Sequence, residues 1–510
     1  MINLNYKKFF LPILAFSIVV GIFSYFRLEP ILNERVAYTF DQGRDFLKAS
    51  EIVINKDITF IGPTTGINGI FHGAWWYYYL AIVFAIFGGL PMGFYIMQFI
   101  LYLSSLLFLI YFLNKYFNNQ IALLFGLVIS TSPYFITKSL FVANNTIVPV
   151  FVLLFLVTHF LILEKLPNSN KRKLILFFIA GLSLGMIAEF EFAFGLLLMP
   201  VYILTAIILK PLRKKFMKIR KSLFFFGGLF IAVLPRLLFE IRNNFSQTRT
   251  LIYFFSNPQY HTPKTLNNIL SERINLFNDY YSSIYSHHWI MWIFSFMMIF
   301  SIAIMLKRKK VIFHNSLIFL SIILLGLFLI SLLYKDTFWP YYFDGIHYSF
   351  ILISAILLQQ FNAANQKQLK MFLYLINVVI FLTAIYSVIT HIKSPKIHDG
   401  IKVQIDIVEF IQKNELNLNN YCVYVYTPPV IPYTYDYLFK YNSIAKGVSE
   451  PTQEFVDNKC WYVLEADPYV ERKNNWINGH LPKDNTNLKL IKEKQIKDVT
   501  IQLWDHGPTK

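Results

Sequence analysis

The chain has 510 residues, of which 55% are hydrophobic, 18% are aromatic and only 15% are charged. Average soluble domains are about one-quarter charged, and the mean hydropathy of this chain is +0.47. The composition therefore excludes a soluble enzyme and indicates a polytopic α-helical membrane protein. The formal net charge of +18 does not indicate nucleic-acid binding. Its lysines and arginines cluster in short joints between apolar runs, the pattern that orients a membrane protein.

Eleven apolar runs have about the length that a helix needs to cross a bilayer. In chain order they cover residues 9–26, 94–114, 120–137, 146–163, 174–190, 192–209, 222–239, 288–306, 311–333, 346–361 and 371–390. The first run follows Lys7 and Lys8, as in a signal peptide, but no small-residue cleavage site comes after it, which favours a signal anchor. The sequence thus predicts about eleven transmembrane helices.

An acidic cluster, Asp41-Gln42-Gly43-Arg44-Asp45, follows the first apolar run. Its two carboxylates are four residues apart and share one face if the segment is helical. Charge placed at the membrane surface in front of a bundle is a functional-site candidate. The alternative for Asp45 is an ion pair with a basic residue one turn away.

The apolar stretch Trp75–Leu90 is ambiguous as a span, and the charges around it favour a re-entrant or interfacial helix. Three basic joints are expected on the same side of the membrane as the N-terminus: Lys165–Lys173, Lys210–Lys221 and Lys307–Lys310. They lie on that side only if this stretch does not cross. Its aromatic run, Trp75–Tyr79, is typical of the headgroup belt of a membrane.

The resulting topology is that of a multi-pass protein of the cell membrane with a cytoplasmic N-terminus and an extracytoplasmic C-terminus. The first outer loop covers residues 27–93. Most of the polar residues outside the basic joints collect on the outer face, so we expect any chemistry to take place there.

Residues 392–510 are predicted to form a small soluble α/β domain outside the membrane, following a transmembrane module at residues 1–391. The composition becomes polar, and Ile401–Asn414 has the apolar period of a helix. The expected buried strands are Tyr421–Tyr426, Trp461–Leu464 and Val499–Leu503. The cysteines of the chain, Cys422 and Cys460, both lie in this domain. An outside location permits a disulfide, and two small buried side chains are the alternative.

An ordered set of motifs resembles the GT-C superfamily of glycosyltransferases, in the branch of the protein O-mannosyltransferases, aminoarabinose transferases and Rgt-like transferases. The motifs are Tyr38–Asp45 (YTFDQGRD), Ile61–Gly66 (IGPTTG), Gly69–Leu80 (GIFHGAWWYYYL), Thr131–Pro133 (TSP) and Leu234–Arg242 (LPRLLFEIR). The resemblance covers roughly residues 1–390, and the segment after it carries no motif that we can assign.

The resemblance implies a GT-C-like helical bundle with juxtamembrane helices on the outer face and a hexosyl- or pentosyltransferase activity. The implied donor is a sugar on a polyprenyl phosphate in the lipid bilayer. The acceptor is a hydroxyl or similar group on a protein, lipid or glycan. Such a donor already carries its phosphate leaving group, so no nucleotide cofactor is implied, and no nucleic acid is expected as a partner.

The resemblance also implies roles for particular residues. Asp41 occupies the position of the catalytic base, and Asp45 is expected to act beside it by orienting Arg44 or the acceptor. The candidates for binding the donor phosphate are the cationic residues Arg236, Arg242, Arg44 and His347. The further substrate-binding candidates are His72, Tyr78, Asn144, Asn145, Glu189, Glu191 and Glu240.

For several of these residues, a purely structural role is the alternative to a role in the site. Arg236 and Arg242 are also suited to anchoring lipid headgroups, and Glu189 and Glu191 stand where one span ends and the next begins. The aromatic run Trp75–Tyr79 is equally suited to anchoring a helix at the interface.

One position departs from the family pattern. Members often carry a second acidic residue at the outer joint after the third span, where this chain has Asn144 and Asn145. An asparagine side chain forms hydrogen bonds but cannot act as a base, which argues against a two-carboxylate or metal-bridged site. Members differ in their need for a divalent metal, so a metal cofactor is left open and no metal ligand is assigned.

Two other classes of function fit a chain with many crossings. One is a transporter or flippase of envelope lipids, and the other is a non-catalytic subunit of envelope assembly. Transporters usually place polar residues at mid-membrane in matching halves. This chain keeps its charges at one surface and has no internal repeat, which favours the transferase.

Overall fold

The computed structural model describes residues 6–257, 264–306, 311–362, 367–395, 399–415, 417–428, 430–481 and 488–507. The basic joint Lys307–Lys310 lies outside these residues. The helices are α1 (Tyr6–Leu32), α2 (Phe40–Ile54), α3 (Trp75–Phe87), α4 (Pro91–Tyr116), α5 (Asn119–Thr131), α6 (Pro133–Ser139), α7 (Asn144–Glu164), α8 (Asn170–Phe190), α9 (Phe192–Ile208), α10 (Lys210–Phe216), α11 (Ile219–Arg242), α12 (Ser246–Ser256), α13 (Leu266–Ser282), α14 (His288–Leu306), α15 (His314–Ser331), α16 (His347–Asn362), α17 (Lys367–Lys393), α18 (Ile401–Asn414), α19 (Tyr433–Lys446) and α20 (Val470–His480). The strands are β1 (Ile61–Thr64), β2 (Phe71–Gly73), β3 (Val423–Tyr426), β4 (Lys459–Leu464), β5 (Lys489–Ile496) and β6 (Val499–Asp505), and a 3-10 helix covers Pro340–Phe343.

Each of the eleven predicted apolar runs falls on a helix or on a bent pair of helices. Eight of the described helices are long and apolar enough to cross a membrane. Ten spans result if two bent pairs, α5 with α6 and α9 with α10, each cross as one unit. The remaining run corresponds to α16, whose 16 residues rise only about 24 Å, less than the roughly 30 Å of a hydrocarbon core. The described chain therefore has eight to ten candidate spans by length and composition, where the sequence predicts about eleven. The predicted orientation, with the two termini on opposite sides of the membrane, requires α16 to cross as the eleventh span.

Helix α3 accounts for the ambiguous stretch Trp75–Leu90. It has 13 residues, which rise about 20 Å, too little to cross the membrane. It ends at Gly88, which adopts a left-handed conformation with φ of +60°, a conformation that glycine tolerates without steric cost. The prediction that this stretch does not cross agrees with its length.

Close packing in the bundle depends on small residues between α8 and α11. A Cβ atom at Gly181 would overlap the backbone of Phe225, and one at Gly228 would overlap the backbone of Phe178. Helices in lipid associate through such close backbone approaches, because the lipid tails are as apolar as leucine and supply no hydrophobic driving force.

The break between α5 and α6 is stabilised by a buried arginine. Pro133 begins α6 at an angle of 62° to α5, so the last carbonyl groups of α5 lose their helical partners. Arg27 of α1 is fully buried and donates hydrogen bonds to the carbonyl groups of Ser130, at 3.1 Å, and Ile129, at 3.4 Å. The guanidinium thus caps the C-terminal end of α5.

The C-terminal segment forms a four-stranded sheet in the order β3-β4-β6-β5, with β3 and β4 parallel and the other pairs antiparallel. The predicted helix has the bounds of α18, and the three predicted strands correspond to β3, β4 and β6. Strand β5 was not predicted because it is an exposed edge strand with no buried face. Cys422 and Cys460 form a disulfide with a Cα–Cα distance of 4.7 Å, which resolves the alternative that the sequence left open.

The C-terminal segment packs directly on the first long loop, and the two share one continuous hydrophobic core. Ile401 donates its backbone N–H to the carbonyl of Val36 at 2.9 Å. Tyr437 of α19 donates its hydroxyl to the carbonyl of Gly89 at 2.6 Å and packs its ring on Phe46 of α2. Helix α2, which carries the acidic cluster, is therefore held between the C-terminal segment and the membrane bundle.

A glycine permits this contact, and replacing it tests the packing. A Cβ atom at Gly43 of α2 would lie 2.5 Å from the backbone of Tyr433, and overpacking of this kind costs about 1–3 kcal/mol. We expect Gly43→Ala to lower the melting temperature of the detergent-solubilised protein.

The matched control for this prediction is Gly479→Ala in helix α20. A Cβ atom there meets nothing within 4 Å, so this variant has no steric cost. It gains about 1 kcal/mol of stability from the higher helix propensity of alanine. A melting temperature of Gly43→Ala equal to or above that of Gly479→Ala would contradict the close approach of α2 and α19.

Candidate functional site

A cavity of about 640 Å³ opens beside helix α2. Its walls come from α2, from β1 and β2, from the first turns of α7 and α9, and from the segments around α12 and the 3-10 helix. Of the thirteen residues that the sequence predicts for the site, seven line this cavity: Asp41, Arg44, Asp45, His72, Asn144, Asn145 and Glu191. The fold thus gathers residues from four separate segments of the chain.

The start of α2 is fixed by a reciprocal cap and by the bundle. Gln42 accepts a hydrogen bond from the backbone N–H of Thr39 at 2.9 Å, in the manner of a capping box. Its amide nitrogen donates to the hydroxyl of Tyr95 at 2.8 Å, and that hydroxyl donates to the carbonyl of Ala37 at 2.7 Å. These bonds set the position at which Asp41, in the first turn, faces the cavity.

Arg44 links the two carboxylates of the acidic cluster. Its Nη1 atom lies 2.8 Å from Oδ1 of Asp41, and its Nη2 atom lies 2.8 Å from Oδ1 of Asp45. The Asp41 side chain is 63% exposed, whereas that of Asp45 is only 3% exposed. Asp41 is therefore accessible from the cavity, and Asp45 is buried behind it.

Asp45 has all of its buried oxygens paired. Trp76 donates its indole N–H to Oδ2 of Asp45 at 2.7 Å, while Arg44 occupies Oδ1. Burial raises the pKa of Asp45 to about 6, and Arg44 and Trp76 oppose the rise. The carboxyl group is thus mostly ionised at neutral pH and anchors Arg44. Trp76 itself is fully buried, so the interface anchoring expected of the run Trp75–Tyr79 does not apply to this residue.

A second polar network lies behind the asparagine pair of α7. Asn145 donates to Oδ2 of Asp344 at 3.0 Å, Lys138 donates to the same oxygen at 2.6 Å, and Tyr134 donates to Oδ1 at 3.3 Å. Burial raises the pKa of the Asp344 carboxyl to about 6. Asn145 at the start of α7 is therefore bonded to a carboxylate from a distant loop.

Sequence reasoning missed Asp344 and Lys138. Asp344 precedes Gly345, which has φ of +94°, and an Asp-Gly pair in an otherwise aromatic joint marks a tight turn with a fixed carboxylate. That dipeptide was the available signal. Lys138 gave none, because nothing in the sequence brings it near residue 344.

His72 is buried in the cavity wall as a neutral side chain. Its Nδ1 atom accepts a hydrogen bond from the backbone N–H of Phe192 at 3.4 Å. Burial lowers the pKa of His72 to about 3, and the positive charges of Arg236 and Arg44 add to the effect. His72 thus offers a hydrogen-bonding ring and no positive charge.

Glu189 and Arg236 form an ion pair behind strand β2. The Nε atom of Arg236 donates to Oε1 of Glu189 at 2.7 Å, and its Nη1 atom donates to the carbonyl of Phe71 at 2.8 Å. A Cβ atom at Gly73 would overlap the Glu189 side chain. The pair therefore holds β2 against α8 and α11, outside the lining of the cavity.

The other predicted residues also lie outside the cavity lining. Glu240 accepts hydrogen bonds from the backbone of Gln247 and from Thr248, and so caps the start of α12. Tyr78 donates to the carbonyl of Thr59 at 2.6 Å. His347 stacks on Tyr134 with ring centroids 3.3 Å apart. Arg242 is exposed at the end of α11.

Part of the cavity lining is apolar. It includes aliphatic and aromatic side chains from α9, α12, α15 and the segment before the 3-10 helix: Leu196, Leu197, Phe254, Phe255, Ile330 and Phe338. Tyr341 and Tyr342 of the 3-10 helix also line the cavity. The lining therefore has some residues suited to polar or charged groups and others suited to a hydrocarbon chain.

A protein-family model described as dolichyl-phosphate-mannose-protein mannosyltransferase matches residues 72–239. Two crystal structures of ArnT from Cupriavidus metallidurans, one bound to undecaprenyl phosphate and one in the apo state, superpose with TM-scores of 0.60 and 0.61. In both comparisons the sequence identity is 10%, and the alignment covers 96% of this chain and 97% of ArnT. The chain has the GT-C fold.

A third solved structure, the oligosaccharyltransferase of Archaeoglobus fulgidus in complex with zinc and sulfate, is similar at a TM-score of 0.48 and 13% identity. The alignment covers 84% of this chain and 61% of that protein. Comparison with curated protein sequences found no match. The two ArnT comparisons confirm, at the level of the fold, the resemblance to GT-C proteins that the motifs indicate.

The described residues of this GT-C fold do not assemble a metal site. Nowhere among them do three or more His, Cys, Asp or Glu side chains come close enough together to hold a metal ion. The two carboxylates of α2 instead share Arg44.

Replacing the indole that pairs with Asp45 tests the support of the site. Trp76→Phe keeps most of the ring but leaves Oδ2 of a buried carboxylate without its donor, which costs about 1–3 kcal/mol. We expect a lower melting temperature for the purified protein. Trp292→Phe is the control, because Trp292 is 67% exposed and its replacement is expected to have little effect. Equal melting temperatures for the two variants would contradict the role assigned to Trp76.

Proposed function

We propose that this protein is a glycosyltransferase that moves a sugar from a polyprenyl-phosphate-linked donor to an acceptor hydroxyl on the outer face of the membrane, with Asp41 as the general base. The observation that carries the proposal is an exposed carboxylate, fixed by Arg44, at the wall of a cavity that has both polar and apolar lining residues. The GT-C fold and the match to ArnT bound to undecaprenyl phosphate support a donor of this class.

The polar and apolar lining residues match the two parts of such a donor. The apolar residues, with Phe254 and Phe255 of α12 and Leu196 of α9, suit the first units of a polyprenyl chain. The acidic residues suit the hydroxyl groups of a sugar and an acceptor, since carboxylates accept hydrogen bonds. In this proposal the reacting bond between sugar and phosphate lies between the two groups of residues.

The proposed reaction is a displacement at the anomeric carbon of the sugar. Asp41 accepts the proton of the acceptor hydroxyl as that oxygen forms a bond to the anomeric carbon. The bond between this carbon and the phosphate oxygen breaks, and its electron pair leaves with the polyprenyl phosphate. The proton remains on Asp41 until it exchanges with solvent, so atoms and charge balance.

Arg44 is suited to stabilise the leaving phosphate. Of the four cationic candidates Arg44, Arg236, Arg242 and His347, Arg44 alone contributes to the lining of the cavity. Arg236 is engaged with Glu189 and the backbone of β2. A guanidinium group presents several donors to a phosphate, and Asp45 holds that of Arg44 in place. Asp45 is thus a positioning residue in this mechanism.

The proposed orientation has its own support. Disulfides persist in oxidising compartments, and the pair Cys422–Cys460 lies in the segment that packs on α2 and the cavity. The basic helix α10 belongs to a joint between spans, as expected on the cytoplasmic side.

The catalytic proposal is tested by two conservative variants. Asp41→Asn keeps the shape and hydrogen bonding of the side chain but cannot accept a proton, so we expect turnover to fall by roughly 10²–10⁴-fold while donor lipid still binds. Asp45→Asn keeps a proton acceptor at position 41 and is expected to lose less activity. The measurement is transfer from labelled polyprenyl-phosphate sugar to a membrane extract that supplies the acceptor.

Two results would count against this assignment. If Asp41→Asn transferred sugar at nearly the wild-type rate while Asp45→Asn was inactive, the site would be correct but Asp41 would not be the base. Full activity in both variants would remove the acidic cluster from the mechanism.

The proposed orientation is tested by cysteine labelling in intact cells. Asn474 of α20 and Lys214 of α10 are both exposed, so each tolerates a cysteine as a probe. We expect a membrane-impermeant reagent to modify the cysteine at position 474 and to spare the one at position 214 until the cells are permeabilised. The wild-type chain, whose cysteines form a disulfide, supplies the background. The reverse labelling pattern would contradict the orientation and the location of the site.

A further inference from the structure

Glu191 is a buried acidic residue of the cavity lining that, unlike Asp41 and Asp45, is not joined to Arg44. It lies in the joint between α8 and α9, lines the cavity and is only 2% exposed. Its Oε1 atom accepts a hydrogen bond from the backbone N–H of Ala193 at 3.3 Å. Glu189, two residues before it, forms an ion pair with the guanidinium of Arg236. No salt bridge joins Glu191 to a cation within the described parts of the chain.

The groups that face Glu191 favour its charged form too weakly to offset its burial. Lys138 and Asp344 lie nearby as a bonded pair, so the positive charge of the lysine is directed to Asp344. His72 of β2 is neutral, and Tyr341 and Tyr342 contribute only hydroxyl groups. Burial, with the charge of Asp344 adding to it, raises the pKa of Glu191 to about 8, and Lys138 opposes the rise. The N–H groups at the start of α9 favour the carboxylate, but burial outweighs them.

We propose that Glu191, as a neutral acid, donates a hydrogen bond to a phosphate oxygen of the polyprenyl-phosphate donor bound in the cavity. The inference rests on the proposed function and adds a residue that recognises the donor. The phosphate of such a donor offers acceptor oxygens, so its partner must be a donor group. A carboxylate at this position would repel the phosphate, whereas a carboxylic acid has a proton to donate.

The chemistry explains why this acidic residue is buried without a cation. An ion pair such as that of Glu189 would keep Glu191 ionised, and the phosphate would then meet a negative charge. The neutral acid also differs in role from Asp41, which must be ionised to accept a proton. The site therefore has two carboxyl groups in different surroundings, one exposed beside Arg44 and the other buried near Asp344.

The proposal predicts that donor binding depends on pH. The folded-state pKa of Glu191 is raised to about 8, so the neutral form predominates at pH 7 and is lost as the pH rises through 8. Binding of undecaprenyl phosphate is therefore expected to weaken on the alkaline side. The other shifted groups around Glu191 titrate outside this window, since the pKa of Asp344 is about 6 and that of Tyr341 is about 12.

The experiment measures the binding of labelled undecaprenyl phosphate to the full chain in detergent at pH 6.5–9.5. Loss of a hydrogen bond to a charged group weakens binding by about tenfold or more, so we expect that decrease for the wild-type protein between the ends of the range. Glu191→Gln keeps a neutral donor and the acceptor that caps α9, and is expected to bind with wild-type affinity at pH 6.5 and to show no alkaline loss.

A second variant separates recognition from helix capping. Glu191→Ser retains a good N-cap residue but is too short to reach the ligand, so we expect an unchanged melting temperature and binding about tenfold weaker at pH 6.5. An alkaline loss that persists in Glu191→Gln, or wild-type affinity in Glu191→Ser, would overturn the assignment. Wild-type protein that fails to bind undecaprenyl phosphate at every pH would instead overturn the proposed function, and this inference with it.

Discussion

The ion pair between Arg44 and Asp45 is the interaction on which the site depends. Asp45 is buried, and its carboxylate is accommodated only because Arg44 and Trp76 occupy both oxygens. Removing one partner of a buried pair leaves an uncompensated charge and costs roughly 3–5 kcal/mol. The same guanidinium contacts Asp41, so the group that neutralises the buried charge also fixes the exposed carboxylate at the cavity.

Helix α2 is positioned from two sides. Tyr95 of α4 binds Gln42 on the bundle side, and α19 packs against Gly43 and Phe46 on the other side. The C-terminal segment is therefore part of the support of the cavity, although no residue beyond position 342 contributes to the cavity lining described above. This arrangement accounts for the glycine at the fourth position of α2, since a Cβ atom there would overlap the backbone of Tyr433.

Much of the fold was predictable, because membrane spans, basic joints and the composition of the tail are local patterns. The cluster at positions 41–45, His72, the asparagine pair of α7 and Glu191 were placed in the site by family position and topology. Burial and partners were not predictable: Glu240 caps a helix, Arg236 is paired with Glu189, and Asp344 contacts Asn145. The last two pairings join residues far apart in sequence, so no periodicity or spacing reveals them.

The most direct test of the account is an experimental density map of the protein with a polyprenyl-phosphate lipid bound. The account predicts the phosphate within hydrogen-bonding distance of Arg44, with Asp41 facing the anomeric position and the hydrocarbon chain along Phe254 and Phe255. A phosphate bound away from this cavity, for example at the exposed Arg242, would contradict the assignment of the cavity as the donor site.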